Sequence, residues 1–260
     1  MTIEAARFPH RNEIPVGGSV YEAGDILGTL DPFVSEQRKE RMAAAVERRT
    51  YTVVPVLEGI SDAGNLHACL RSAEGLGYGA AFLVAPENEA LPLVDRYVVG
   101  DDADENELGK RGSARAAQGA QKWLDLSVWH RQDEFVHSAH ARGYQIVSTH
   151  LDADAIPIGE WDFTRPTALV FGNERDGVSD ILLAHSDANV VLPIDGFIQS
   201  YNVSVAVALA LYQARLDRLS RQGFHGDLSR EEQNILRALF YLRSVSASGE
   251  ILARELRQSP

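Results

Sequence analysis

The chain has 260 residues, 45% of them hydrophobic and 24% charged, and a formal net charge of −12, which fits one large α/β domain with helical extensions or two small domains and excludes extended disorder. No apolar run reaches the roughly 18 to 20 residues of a membrane span, and the N-terminal stretch lacks the apolar core of a secretory signal. One cysteine, Cys69, excludes an internal disulfide and a multi-cysteine metal site, so the expected location is cytoplasmic with no membrane partner.

Residues 1–30 hold Pro9, Pro15 and the Gly17-Gly18 pair and read as irregular chain. Asp31-Pro32 marks a helix start, and 34–49 reads as a helix rich in Arg, Glu and Ala. The β-branched run at 51–57 (YTVVPVL) predicts the first strand of a central sheet. Asp62 and Asn65 are candidate caps of a helix running to Leu76 and stopped by Gly77. The continuous apolar run at 80–85 (AAFLVA) predicts a strand buried on both faces. Residues 101–107 (DDADENE) form an acidic loop. The stretch 118–126 leads to a helix at 131–142. Strand 144–148, strand 168–171, a helix around 179–185, strand 189–192 and a long apolar helix from about Ser200 to Leu219 follow. Strands alternating with helices at this spacing predict an α/β fold with a parallel sheet flanked by helices. A last helix at 229–243 opens on Ser229, with Glu232 completing a capping box.

Three stretches place polar residues and glycines where strands end, which in open α/β sheets is where ligands bind. The first runs from Asp62 through Asn65 to Arg71. The second, Phe171 to Ser179 (FGNERDGVS), delivers Gly172, Glu174 and Gly177. The third, Leu192 to Ala206 (LPIDGFIQSYNVSVA), sets Ser200 and Asn202 at the mouth of an apolar helix, where free backbone N–H groups favour a polar ligand. Taken singly, Asn65, Ser179 and Ser200 read equally well as helix caps, Glu174 as a turn carboxylate and Arg71 as a surface arginine. His67, His150 and His185 do not have metal-ligand spacing, and neither GxxxxGK[ST] nor GxGxxG is present.

In chain order, N-x5-R, FGNExxGxS and LPI-x-G-x3-S-x-NVSVA together resemble the three signature motifs of the SpoU (TrmH) family, RNA ribose 2′-O-methyltransferases of the SPOUT superfamily. The resemblance spans about Tyr51 to Leu216. It implies a trefoil knot in the C-terminal half, a homodimer, and S-adenosylmethionine held by backbone from three loops. It implies cofactor contacts at Thr149, Gly172, Glu174, Leu192, Ile194, Ser200, Tyr201 and Asn202, and a catalytic set of Arg71, Asn65, Glu174, Ser200 and Asn202. Tyr201 departs from the family pattern, which has leucine between the serine and the asparagine. Arg71 matches the arginine regarded as the base, although a guanidinium with a pKa above about 12 suits phosphate orientation better.

The expected organisation is an N-terminal extension at 1–49, a methyltransferase domain at 50–219 and a helical extension at 220–260. Short extensions on both sides resemble the tRNA-modifying group, whose members methylate a D-loop guanosine ribose. The alternatives are an rRNA 2′-O-methyltransferase, a small-molecule methyltransferase and a non-catalytic RNA-binding protein. The acidic balance speaks against a polyanionic partner, but it is uneven. Residues 1–49 carry −1, 50–210 carry −13 and 211–260 carry +2. Arg38, Lys39, Arg41, Arg48 and Arg49 on one flank, and Arg218, Arg221, Arg230 and Arg237 on the other, are the candidate phosphate contacts; solvated helix faces account for them too.

Overall fold

The computed structural model describes residues 7–85, 119–152 and 154–256, so the expected acidic loop at 101–107 lies outside the described residues. The described chain divides into two compact units, one comprising 50–225 with Arg7, the other joining 8–49 to 226–256.

The smaller unit corrects the reading of 1–30 as irregular. Strands β1 (Glu13–Val16) and β2 (Ser19–Glu22) form an antiparallel hairpin, with Val16 paired to Ser19. Gly17 and Gly18 both have positive φ (59° and 77°), the backbone a two-residue hairpin turn demands. Helix α1 (Ala23–Leu30) follows, and a 3-10 turn at Asp31–Phe33 precedes α2 (Glu36–Glu47), so the helix expected from 34 begins only after Ser35. The C-terminal helices are α7 (Arg230–Ser244) and α8 (Ser248–Leu256). Helix α7 opens on the Ser229–Glu232 capping box read from the sequence. Helix α1 packs on both, and α2 packs on α7, so segments from the two ends of the chain share one core.

The larger unit is built on a seven-stranded parallel sheet. Its strands are β3 (Val53–Glu58), β4 (Ala80–Val84), β5 (Asp125–Trp129), β6 (Gln145–Thr149), β7 (Ile156–Pro157), β8 (Thr167–Phe171) and β9 (Ala188–Val191), in the spatial order β5-β4-β3-β8-β6-β9-β7. Strands β3, β4 and β8 are buried at every position, which is why their sequences run apolar without alternation. Between the strands lie α3 (Ala63–Leu76), α4 (Gln132–Ala141) and α5 (Asp180–Ala184), and α6 (Val203–Gln222) follows β9. Two strands escaped the sequence reading. Edge strand β5 is only half-buried throughout and mixes polar with apolar residues, and β7 has two residues.

Helix α3 packs along α6 over a core that includes Leu57, Leu66, Leu70, Phe171, Val207 and Leu211. The Tyr78 hydroxyl donates to the Leu211 carbonyl at 2.6 Å from within that core. Arg218, 1% exposed, donates to the carbonyls of Phe163 and His225. Arg221 donates to Asp217 at 2.6 Å. This corrects the expectation that both arginines face phosphate: Arg218 is a core strut and Arg221 is already paired.

Replacing Tyr78 with Phe removes one buried hydrogen bond and no packing volume. The expected loss is about 1 kcal/mol of unfolding free energy, read as a lower urea midpoint at unchanged slope.

Candidate active site

Strands β8, β6 and β9 are neighbours, so the loops leaving their carboxyl ends emerge side by side. These loops begin at Thr149, Gly172 and Leu192, three of the residues expected to meet a cofactor.

The loop after β8 is tightly folded. A Cβ on Gly172 would lie 1.9 Å from the Gly177 carbonyl carbon and 2.1 Å from the Val178 nitrogen, so only glycine permits this approach. Gly177 has φ +73° and donates its N–H to the Asn173 carbonyl at 3.1 Å. The Asn173 side chain accepts from the N–H groups of Arg175 and Asp176 at 2.9 and 2.7 Å. Glu174 is thereby held at the tip of a short closed turn.

Glu58 anchors the far end of this loop. It is the last residue of β3 and 3% exposed. Its carboxylate accepts from the Ser179 hydroxyl at 2.6 Å and from the Ser179 N–H at 2.9 Å. Ser179 in turn caps α5 by accepting from Leu182. Sequence reasoning missed Glu58. Its signal was a carboxylate closing an otherwise apolar strand, a position where burial demands donors.

The three motifs meet at Asn65. Its side-chain NH2 donates to the Glu174 carboxylate, and its side-chain oxygen accepts from the Asn202 NH2 at 3.1 Å. Asn202 accepts from the Ser204 hydroxyl at 2.6 Å and from the Ser204 N–H at 2.9 Å. The result is a directed series, Ser204 to Asn202 to Asn65 to Glu174, in which each polarised donor strengthens the next. Residues 65, 174 and 202 come from three separate stretches. Asp62, not Asn65, caps α3, accepting the Asn65 N–H at 2.7 Å, and Asn202, not Ser200, caps α6. The Asn65 amide is therefore free for the cross-motif bonds.

Arg71 lies six residues further along α3, about 9 Å by helical rise. It is exposed and makes no ion pair among the described residues. The Thr149 hydroxyl donates to the Val170 carbonyl at 2.9 Å, tying β6 to β8 at the carboxyl end of the sheet. Leu192 and Ile194 are half-buried, and Ser200 is exposed with no hydrogen bond among the described residues. The Tyr201 hydroxyl donates to the Pro193 carbonyl at 3.0 Å. Burial, reinforced by the charge of Glu174, pushes the Cys69 thiol up to about 12, which makes it an inert core group. No group of three or more His, Cys, Asp or Glu residues is arranged to hold a metal among the described residues.

Gly172→Ala should displace the Gly177–Val178 backbone and with it Glu174. We expect a loss of roughly 1 to 3 kcal/mol, seen as a lower thermal midpoint, since backbone cannot yield as a side-chain tip would.

The model of the SpoU rRNA Methylase family matches residues 52–212. The tRNA (guanosine(18)-2'-O)-methyltransferase of Thermus thermophilus is 32% identical over 185 residues, covering 71% of this chain and 85% of that protein. The protein of the same name from Aquifex aeolicus is 29% identical over 210 residues, covering 81% of this chain and 90% of that one. Among solved structures, the A. aeolicus TrmH/SpoU tRNA modifying enzyme superposes with a TM-score of 0.63 at 27% identity, covering 79% of this chain and 96% of that chain. The SpoU methyltransferase AviRb from Streptomyces viridochromogenes, in complex with the cofactor AdoMet, shares the fold at a TM-score of 0.51 and 24% identity, covering 64% of this chain and 60% of that chain.

Proposed function

This chain belongs to the SpoU rRNA methylase family, and from that membership and the site geometry we propose that it methylates a ribose 2′-hydroxyl of tRNA, at a D-loop guanosine, in the cytoplasm. The observation that carries the reading is the hydrogen-bonded series through Asn202, Asn65 and Glu174, which joins the family's three motifs, with the exposed Arg71 further along α3. The tRNA choice rests on the relatives' names and their coverage of this chain. An rRNA substrate is the runner-up, favoured by the family description.

The residues fit S-adenosylmethionine. Leu192 to Tyr201 make a single hydrogen bond among the described residues, Tyr201 to Pro193, so their backbone donors and acceptors are open to a ligand. Gly172 admits the backbone of Gly177 and Val178 where a Cβ would clash, which gives the loop after β8 its compact shape. We assign the cofactor to Thr149, Gly172, Glu174, Leu192, Ile194 and Ser200 to Asn202. When bound there, it supplies an electrophilic methyl group on sulfonium.

The chain's own work is positioning. Arg71, with no carboxylate paired to it among the described residues, holds the RNA phosphate next to the target ribose and stabilises charge as the hydroxyl loses its proton. Asn65 and Asn202 fix Glu174, and Ser200 is placed to bond the incoming ribose or cofactor. Within the smaller unit, α2 offers a second phosphate contact. At 100° per residue Arg38, Arg41 and Arg48 fall within about 80° of one another, and Glu36, Glu40 and Glu47 gather on another side. None of these three arginines makes an ion pair among the described residues, whereas Lys39 is held by Asp31 and Glu36 at 2.6 and 2.8 Å.

Two further parts of the reading concern assembly and topology. Val205, Leu209, Tyr212 and Leu216 are 40 to 50% exposed and form a stripe along α6, opposite the face packed on α3. Apolar residues at spacings of four and three suit a second copy of the chain, as a homodimer. A trefoil knot is supported by the chain path. The chain leaves β9, beyond β6, and returns through 192–202 to pack α6 against α3 on the β3 side of β8.

Labelled S-adenosylmethionine offered to unmodified tRNA and rRNA transcripts should mark a tRNA guanosine ribose, with a rate at least a hundredfold lower for Arg71→Ala. Label on no RNA, with cofactor bound, would overturn the RNA reading. For the dimer, sedimentation should give a two-chain mass that falls to one chain in Leu209→Asp/Leu216→Asp; a monomeric parent protein would remove the proposal.

A further inference from the structure

Pro193 to Ser200 is an exposed segment except at Ile194, with Phe197 fully exposed and Ile198 more than half exposed. Among the described residues, 192–200 are touched by one hydrogen bond, from the Tyr201 hydroxyl to the Pro193 carbonyl at 3.0 Å. That bond joins residues eight apart and closes the base of the loop. Its C-terminal side is fixed immediately afterwards by Asn202, the α6 cap bonded to Asn65. Its N-terminal side follows β9, whose Val191 carbonyl accepts from Ile158. Without the phenolic bond, Val191 and Asn202 are held and the ten residues between them have no internal tie.

We propose that Tyr201 is a positioning residue whose hydroxyl staples this loop into its ligand-binding shape, a task that the leucine of the family pattern has no atom to perform. The inference rests on the cofactor reading above. A ligand that needs backbone groups at Leu192 and Ile194 binds only the closed loop, so its apparent affinity scales with the closed fraction. Loop closure without a tie costs conformational entropy, and one neutral hydrogen bond shifts such an equilibrium by about threefold to tenfold. The hydroxyl acts through Pro193 and needs no contact with the cofactor.

The test measures S-adenosylmethionine binding calorimetrically to the parent protein, Tyr201→Phe and Tyr201→Leu, with backbone NMR order parameters over 194–200 in the same three proteins. The expected result is a Kd raised about threefold to tenfold in both variants. Order parameters over the loop should be lower in the unliganded variants and return to the parent values at saturation. A Tyr201→Phe variant that binds as the parent does would overturn the staple, and so would loss confined to Tyr201→Leu, which would assign the effect to the ring. If the parent protein does not bind S-adenosylmethionine, the cofactor reading fails. The staple is then judged by the order parameters alone, with equal values in parent and Tyr201→Phe refuting it.

Discussion

A carboxamide has two donors on one side and an acceptor on the other, and Asn65 uses both sides at once, giving a hydrogen to Glu174 and taking one from Asn202. Aspartate cannot donate and leucine can do neither, so few side chains satisfy both neighbours. The requirement fixes the geometry of the site, because its partners stand 109 and 137 residues away on different loops. It also explains a division of labour at the start of α3. Asp62 takes the capping role, which leaves the Asn65 side chain free. At α6, Asn202 performs both tasks, its oxygen capping the helix and its NH2 reaching Asn65.

Such a chain of bonds positions groups only if its ends are held by something stiffer. The parallel sheet supplies that on one side. Strands buried on both faces cannot shift without exposing apolar surface, and Glu58, carried at the end of β3, transmits their position to Ser179 and the loop bearing Glu174. A buried carboxylate is costly unless donors surround it, so Glu58 and Ser179 hold one another in place. The loop after β9 is the opposite case, long, exposed and nearly free of internal bonds. One rigid wall and one loose wall suit a ligand that must enter and leave.

Much of the larger unit was legible because burial writes itself into composition. The runs VVPVL, AAFLV and ALVF read as strands because every position in them is apolar and buried. Strand β5 was not legible for the converse reason: at the sheet edge its residues are half-buried, so DLSVW carries no clear pattern. The hairpin of β1 and β2 was hidden by strands of four residues, too short for alternation to register, although the Gly17-Gly18 pair was its turn signal. In the site, the motif order located Asn65, Glu174 and Asn202, while which residue caps which helix was decided by tertiary partners. Arg218 shows the limit of reading charge from sequence. A guanidinium between two carbonyls in the core looks, in a string of letters, like one more surface arginine.

The same distinction bears on how an acidic chain attracts a polyanion. Net charge sets the far field, but screening limits that field to about 10 Å at moderate ionic strength, so docking depends on charges that are locally free. Of the flank cations read from the sequence, Lys39, Arg49, Arg218 and Arg221 are neutralised or buried, Arg237 is half-buried, and Arg230 on α7 and the arginines at α2 are left to solvent. Arg38, Arg41 and Arg48 share a side of that helix, and Glu36, Glu40 and Glu47 gather on another, so their fields add at close range instead of cancelling. An overall charge of −12 is therefore compatible with phosphate contact, provided the contact is confined to such a face and to Arg71.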